Sequence, residues 1–212
     1  MKPTKSPRRR TEASRLSRDD WLDAAFEAVV EGGFDAVRVL VLADALGVTR
    51  GSFYWHFTDH ADLVASLVER WHGREIDEGR RLQADVTDDP RADLVRLLDV
   101  ALARGGADVK DMRFELALRG LGRRDAAVAR RLLEVDAARM ALFEGMFRRL
   151  TGDAQAAADQ AVMFYLAITG GIQALARPSA SAGVAERIRR VIAEQVIGRA
   201  VPARRARAAA GR

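Results

Sequence analysis

The chain contains no cysteine, which excludes disulfides and thiolate metal sites. It also lacks a long apolar run. The longest, residues 161–176, is broken by Thr169 and Gln173 and falls short of the roughly 20 residues that span a bilayer. The N-terminus is basic, without an apolar stretch, so no signal peptide is read there. No segment alternates apolar and polar residues with period two, which leaves strands without a signal. There is no internal repeat. Catalytic patterns are missing too: no Ser/His/Asp grouping and no carboxylate pair in an acid–base setting. Gly105-Gly106 and Gly170-Gly171 lack the strand-then-helix frame of a nucleotide loop. His56 and His60 are four apart, a metal-pair spacing on a single helix, but Thr58-Asp59 should start a new helix between them. The expectation is a cytoplasmic protein that is not an enzyme and holds neither cofactor nor metal.

What the chain does have is apolar content and unevenly placed charge. Hydrophobic residues make up 49% of the 212, enough for a sizeable core. The net charge of +5 belongs to the ends. Residues 1–18 set Lys2, Lys5, Arg8, Arg9, Arg10, Arg15 and Arg18 against Glu12, and residues 199–212 hold five arginines and no acid. With +6 and +5 at the ends, the stretch between them carries −6. Basic tails suit a polyanion such as DNA, or serve as disordered solubilising ends.

From Trp21 onward apolar residues recur at helical spacing. Ser17 and Asp20 form a capping box ahead of Trp21, Leu22, Ala25, Phe26 and Val29. Gly32-Gly33 ends that helix, and Phe34 plugs a small core. Two short helices follow, Val39–Leu46 and Thr49–Phe57, with Gly47 supplying a left-handed turn between them. Thr49 is the expected N-cap of the second. Thr58-Asp59 opens a long fourth helix that carries Leu63, Val64, Leu67, Val68 and Trp71 to about Asp85. Further helices are predicted around Leu94–Ala101, Met112–Leu121, Asp125–Leu150, Ala154–Ala176 and Val184–Val196. Ala154–Ala176 is apolar nearly all round, so burial on more than one side is expected. The fold class is all-α, with about nine helices. The expected organisation is a flexible basic arm over 1–16, a helix-turn-helix DNA-binding head over 17–65, a helical body over 66–200, and a basic disordered tail over 201–212.

Over residues 17–65 the chain resembles the TetR family of repressors. Gly33-Phe34 ends the first helix as in that family. Leu42-Ala43 and Gly47-Val48-Thr49 match its I-A and G-V-S positions. Gly51-Ser52-Phe53-Tyr54-Trp55-His56-Phe57 is similar to its G-T-L-Y-x-H-F signature, and Asp62-Leu63 to its D-L opening of the fourth helix. The resemblance implies that the third helix enters the major groove, about 12 Å wide. Thr49, Arg50, Gly51, Ser52 and Trp55 then reach base edges. Arg50 either pairs with guanine or holds a phosphate. Tyr54 and His56 correspond to phosphate contacts, with core packing as the alternative for Tyr54. Arg38 and His60 stand at further phosphate-facing positions, and Phe53 and Phe57 read as core.

Several positions depart from the family pattern. Arg38 replaces a frequent Thr, Val41 a polar residue, and Thr58 and His60 frequent Lys or Arg. Between residues 19 and 66 only Arg38 and Arg50 are basic against nine acids, a net −7. DNA affinity usually rests on neutralised phosphates. The missing charge is therefore expected from the arm, from Arg8, Arg9 and Arg10 with Lys5 and Arg15, in the adjacent minor groove.

For the body, the resemblance implies that the last two helices pair with those of a second copy. A two-fold homodimer would set two heads on a palindromic double-stranded DNA operator, with half-sites spaced by turns of about 34–36 Å. An unknown small-molecule effector would occupy a cavity among Trp71, Met112, Phe114, Phe143, Met146, Phe147, Phe164 and Tyr165; plain core packing is the alternative for each. Arg113 and Glu115 anchor the effector or face water, and His72 lines the cavity or faces water. The predicted function is a DNA-binding transcriptional regulator, a repressor released by its effector, with no membrane partner. The alternatives are a non-enzymatic binding module that no longer reads specific DNA, and an architectural DNA binder driven by its tails.

Overall fold

The computed structural model describes residues 16–103, 109–175 and 182–200. The basic arm with Arg8, Arg9 and Arg10, the tail over 201–212, Gly105-Gly106 and residues 178–181 of the last loop lie outside the described residues. Among the described residues there are nine α-helices and no strand: α1 (Arg18–Gly32), α2 (Val39–Ala45), α3 (Arg50–Phe53), α4 (His60–Ala84), α5 (Pro90–Ala103), α6 (Val109–Gly122), α7 (Ala126–Thr151), α8 (Ala154–Leu175) and α9 (Ala182–Ile192). A 3-10 turn, Phe34–Ala36, follows α1, and a π-turn, Ala193–Ile197, continues α9. None of these helices is long and apolar enough to cross a membrane.

Local chemistry sets most boundaries. The Ser17 backbone N–H donates to the Asp20 carboxylate at 2.6 Å, and the Asp20 N–H donates to Ser17 Oγ at 3.2 Å, closing the capping box. Asp59 accepts from the Asp62 N–H at the start of α4, and Asp125 accepts from the N–H groups of Ala127 and Val128 at the start of α7. Gly152, at φ +71°, ends α7 in the left-handed conformation that favours glycine. The third helix departs from expectation. Its α-helical part is only Arg50–Phe53. Residues 54–56 continue as a tighter turn, with the His56 N–H on the Phe53 carbonyl at 2.9 Å. Thr49 occupies the N-cap position with extended backbone, but its side chain makes no capping hydrogen bond.

Two apolar cores hold the molecule together. The first joins Trp21, Leu42, Phe53, Phe57, Leu63 and Leu67 of the head to Phe114 and Leu118 of α6 and Val128, Leu132 and Val135 of α7. Phe26 stacks on Phe114 with ring centroids 5.0 Å apart, so the head packs directly on the body. The second core gathers Leu94 and Leu98 of α5, Phe143 and Phe147 of α7, Ala161 and Phe164 of α8, and Ile197 after α9. Fully burying a side chain of this size contributes about 1.5–3 kcal/mol. Asp93 is buried beside this core and accepts hydrogen bonds from the Thr87 hydroxyl (2.7 Å), the Thr87 N–H (2.9 Å) and Arg149 (2.9 Å). Burial alone would raise its pKa. The bonds from Thr87 and Arg149, with Arg96 nearby, outweigh that and hold it at about 2.

Within a single chain α8 is buried on one side: Ala157, Ala161, Phe164 and Ile168 are buried, while Val162, Met163 and Leu166 on the opposite face are exposed. Val184 and Val191 of α9 are exposed as well.

Candidate nucleic-acid interface and body cavity

The helix-turn-helix is fixed from beneath by aromatic packing. Phe53 is fully buried, its ring edge-on to Trp21 at 5.4 Å and stacked with Phe57 at 5.3 Å. Gly47 takes φ +68°, and the Val48 N–H closes the turn on the Ala43 carbonyl at 3.0 Å. With Phe53 and Phe57 pointing inward, the helical phase puts the intervening residues outward. Thr49, Arg50, Gly51, Tyr54 and Trp55 are exposed, and Ser52 and His56 are half-buried. Trp55 stands almost wholly free, 87% exposed. Tyr54 is exposed too, with its ring edge-on to that of Phe53 at 5.3 Å.

Arg38, Arg50, Tyr54 and His60 have intramolecular partners. Arg50 donates to the Tyr54 hydroxyl at 3.0 Å, so the two side chains sit together on the outer face. Arg38 Nε donates to the Asp35 carbonyl at 3.3 Å, and His60 Nε2 lies 2.7 Å from the Val37 carbonyl. Arg18, counted above with the basic N-terminus, lies over the Phe57 ring at 4.6 Å and bonds Ser66 and Asp62 on α4. It fastens α1 to α4.

In the body, a cavity of about 90 Å³ opens between α4, α5, α6, α7 and α8. Four of the eight predicted residues line it: Trp71, Met112, Phe143 and Tyr165. The other four do not. Phe114 is taken by Phe26 and Phe34 in the first core, while Met146, Phe147 and Phe164 interlock in the second. Their helical phase turns them toward the packed interior. His72 neither lines this cavity nor faces water: it is largely buried, with Nε2 2.9 Å from Glu134 Oε2.

On the polar wall of the cavity, sequence reasoning named Glu115 but missed Glu75 and Arg139. Arg139 of α7 reaches Glu75 of α4 at 2.8 Å and both carboxylate oxygens of Glu115 of α6 at 2.9 Å. Arg119 also holds Glu115 at 2.7 Å and is bidentate on Asp136 at 2.8 and 3.0 Å. Glu115 is therefore an ion-pair hub and does not face water. Burial alone would raise its pKa, but Arg139 and Arg119 outweigh that and hold it at about 2. Tyr165 titrates above its usual range, chiefly through burial and then the nearby Asp136 charge. A signal was present in the sequence. Glu75 follows Trp71 by four residues, and Leu82 follows Glu75 by seven, so this carboxylate sits on the stripe of α4 that faces the body.

Residues 22–67 match the sequence model of the bacterial regulatory proteins of the tetR family. The HTH-type transcriptional regulator TtgR of Pseudomonas putida is 31% identical over 91 residues, 43% of each chain. The alignment thus spans less than half the length of this curated relative. Among solved structures, a TetR transcription regulator from Haloarcula marismortui superposes with a TM-score of 0.70 at 18% identity, over 85% of this chain and 96% of that one. SmeT, the repressor of the Stenotrophomonas maltophilia multidrug efflux pump SmeDEF, gives 0.65 at 20% identity, over 86% and 89%.

Proposed function

We propose, from the premise that the chain belongs to the tetR family of bacterial regulatory proteins, that it is a sequence-specific DNA-binding transcriptional regulator. One observation carries the reading: Thr49, Arg50 and Trp55 stand exposed on a segment whose other face, Phe53 and Phe57, is locked in the core. Such a rigid platform positions side chains for base edges in the major groove. Thr49, Arg50, Gly51, Ser52 and Trp55 read bases, and Tyr54, His56, Arg38 and His60 position the head on phosphates. Arg8, Arg9 and Arg10 of the arm add the positive charge that the acidic head lacks.

The protein acts as a homodimer in the cytoplasm. The bare apolar face of α8, with Val184 and Val191 of α9, supports pairing with a second copy, and two-fold symmetry then calls for a roughly palindromic operator. The body cavity takes a small-molecule effector that releases the DNA, as suits a fold shared with a repressor of a multidrug efflux pump. The test is a mobility shift of the full chain on its own upstream region against random duplex over a range of salt. Selective binding supports the proposal. Equal affinity for both duplexes at every salt concentration refutes specific readout and leaves charge-driven binding.

A further inference from the structure

Among the described residues, large apolar side chains are exposed in two groups, one on α8 and α9 and one on the helix-turn-helix; only Val86 and Leu133 fall outside them. The second group is Leu40 and Val41 of α2 with Tyr54 and Trp55 at the end of α3. Neither α1 nor α4 exposes a large apolar side chain. On α2 the inward positions are Leu42 and Ala43, which sends Leu40 and Val41 outward. They are 59% and 52% exposed. Nothing in the core of the head calls for them. Val41 also departs from the polar residue of the family pattern, so this patch is a feature of the present chain.

The same segment is short of polar readers. Arg38 and Arg50 are the only basic residues between 19 and 66. Each already donates a hydrogen bond within the chain, Arg38 to the Asp35 carbonyl and Arg50 to the Tyr54 hydroxyl. What α2 offers instead is two adjacent branched aliphatic side chains, continuous along the motif with the outward face of Thr49–Trp55. In the major groove the apolar group that a base pair presents is the thymine C5-methyl. Val41 follows Arg38 by three residues, the spacing that sets two side chains on one side of a helix, so a phosphate contact by Arg38 brings Val41 to the edge of the groove.

We infer that Leu40 and Val41 pack on thymine C5-methyl groups and are specificity-determining residues: α2 adds an apolar readout to that of α3. This rests on the reading of the head as a sequence-specific DNA binder, and it names the base that α2 selects.

The experiment uses the full chain and the duplex it selects from a random pool. Each thymine of that duplex is replaced in turn by deoxyuridine, which keeps base pairing and removes only the methyl group. Wild type is expected to lose about fourfold in affinity at each methyl that Leu40 or Val41 covers, the effect of burying about one such group. The double variant Leu40→Ala/Val41→Ala is expected to keep its circular dichroism spectrum, to bind the thymine duplex at least about fourfold more weakly, and to lose nothing further at those positions. Should it fail to fold, the two single variants take its place, each insensitive to at least one of the thymines that wild type senses. Asp44→Ala, an exposed neighbour on α2, is expected to keep the wild-type profile. The inference is overturned if no deoxyuridine weakens wild type by more than about twofold, if the double variant shows the wild-type profile, or if Asp44→Ala alters that profile as much. A double variant that binds the thymine duplex as tightly as wild type assigns the patch to a partner protein and overturns it as well. If wild type selects no duplex, the DNA-binding reading itself fails and this inference falls with it.

Discussion

Replacing Glu115 by Gln is a sharp test of the electrostatics of the body. Glu115 is almost wholly buried and accepts hydrogen bonds from both Arg119 and Arg139. Its pKa falls from 4.5 to about 2 because the two guanidiniums outweigh the opposing effect of burial. At 1.36 kcal/mol per pKa unit, the ionised group contributes about 3 kcal/mol at pH 7. Gln keeps the shape and loses the charge, while Arg119 retains Asp136 and Arg139 retains Glu75. The loss should therefore lie at the low end of the ~3–5 kcal/mol typical of a broken buried pair. A depressed carboxylate gives stability that is fully present above its unfolded pKa and is lost as pH falls toward the folded one. The gap between wild type and variant should thus narrow from about 3 kcal/mol at pH 7 to about 1 kcal/mol at pH 3. Urea unfolding followed by circular dichroism, at matched protein concentration, measures both values. A gap below about 1 kcal/mol at pH 7, or one that does not narrow in acid, would refute the assignment of Glu115 as a charged hub.

Trp55→Ala should leave the urea midpoint unchanged, since the side chain is 87% exposed, yet weaken the selected duplex at least about fivefold, or ~1 kcal/mol; unchanged affinity would remove Trp55 from the interface. Gly47→Ala meets no atom within 4 Å, so its cost is the left-handed backbone alone, about 1–2 kcal/mol in unfolding free energy. Leu166→Glu places a charge on the bare face of α8, where Leu166 is 60% exposed; if that face pairs with a second copy as proposed, wild type should sediment as a dimer and the variant as a folded monomer, and equal sedimentation coefficients would refute this face as an interface.

The sequence by itself determined the helices and the shape of the head. Caps, turns and periodic apolar stripes act within a few residues, so Ser17 with Asp20, Gly47 and Asp59 could be read as boundaries without a partner in space. Phe53, Phe57 and Trp21 were legible as core for the same reason. Tertiary structure decided everything that depends on which helix faces which. It turned Phe114, Phe147 and Phe164 into packing and left Trp71, Met112, Phe143 and Tyr165 on the cavity. It shortened α3, whose last turn closes around the packed Phe53 and Phe57 rings. It also assembled Glu75, Glu115, Arg119, Asp136 and Arg139 from three helices. Periodicity gives a residue's phase on its own helix but not its neighbour across the gap, and an ion pair is a property of that neighbour.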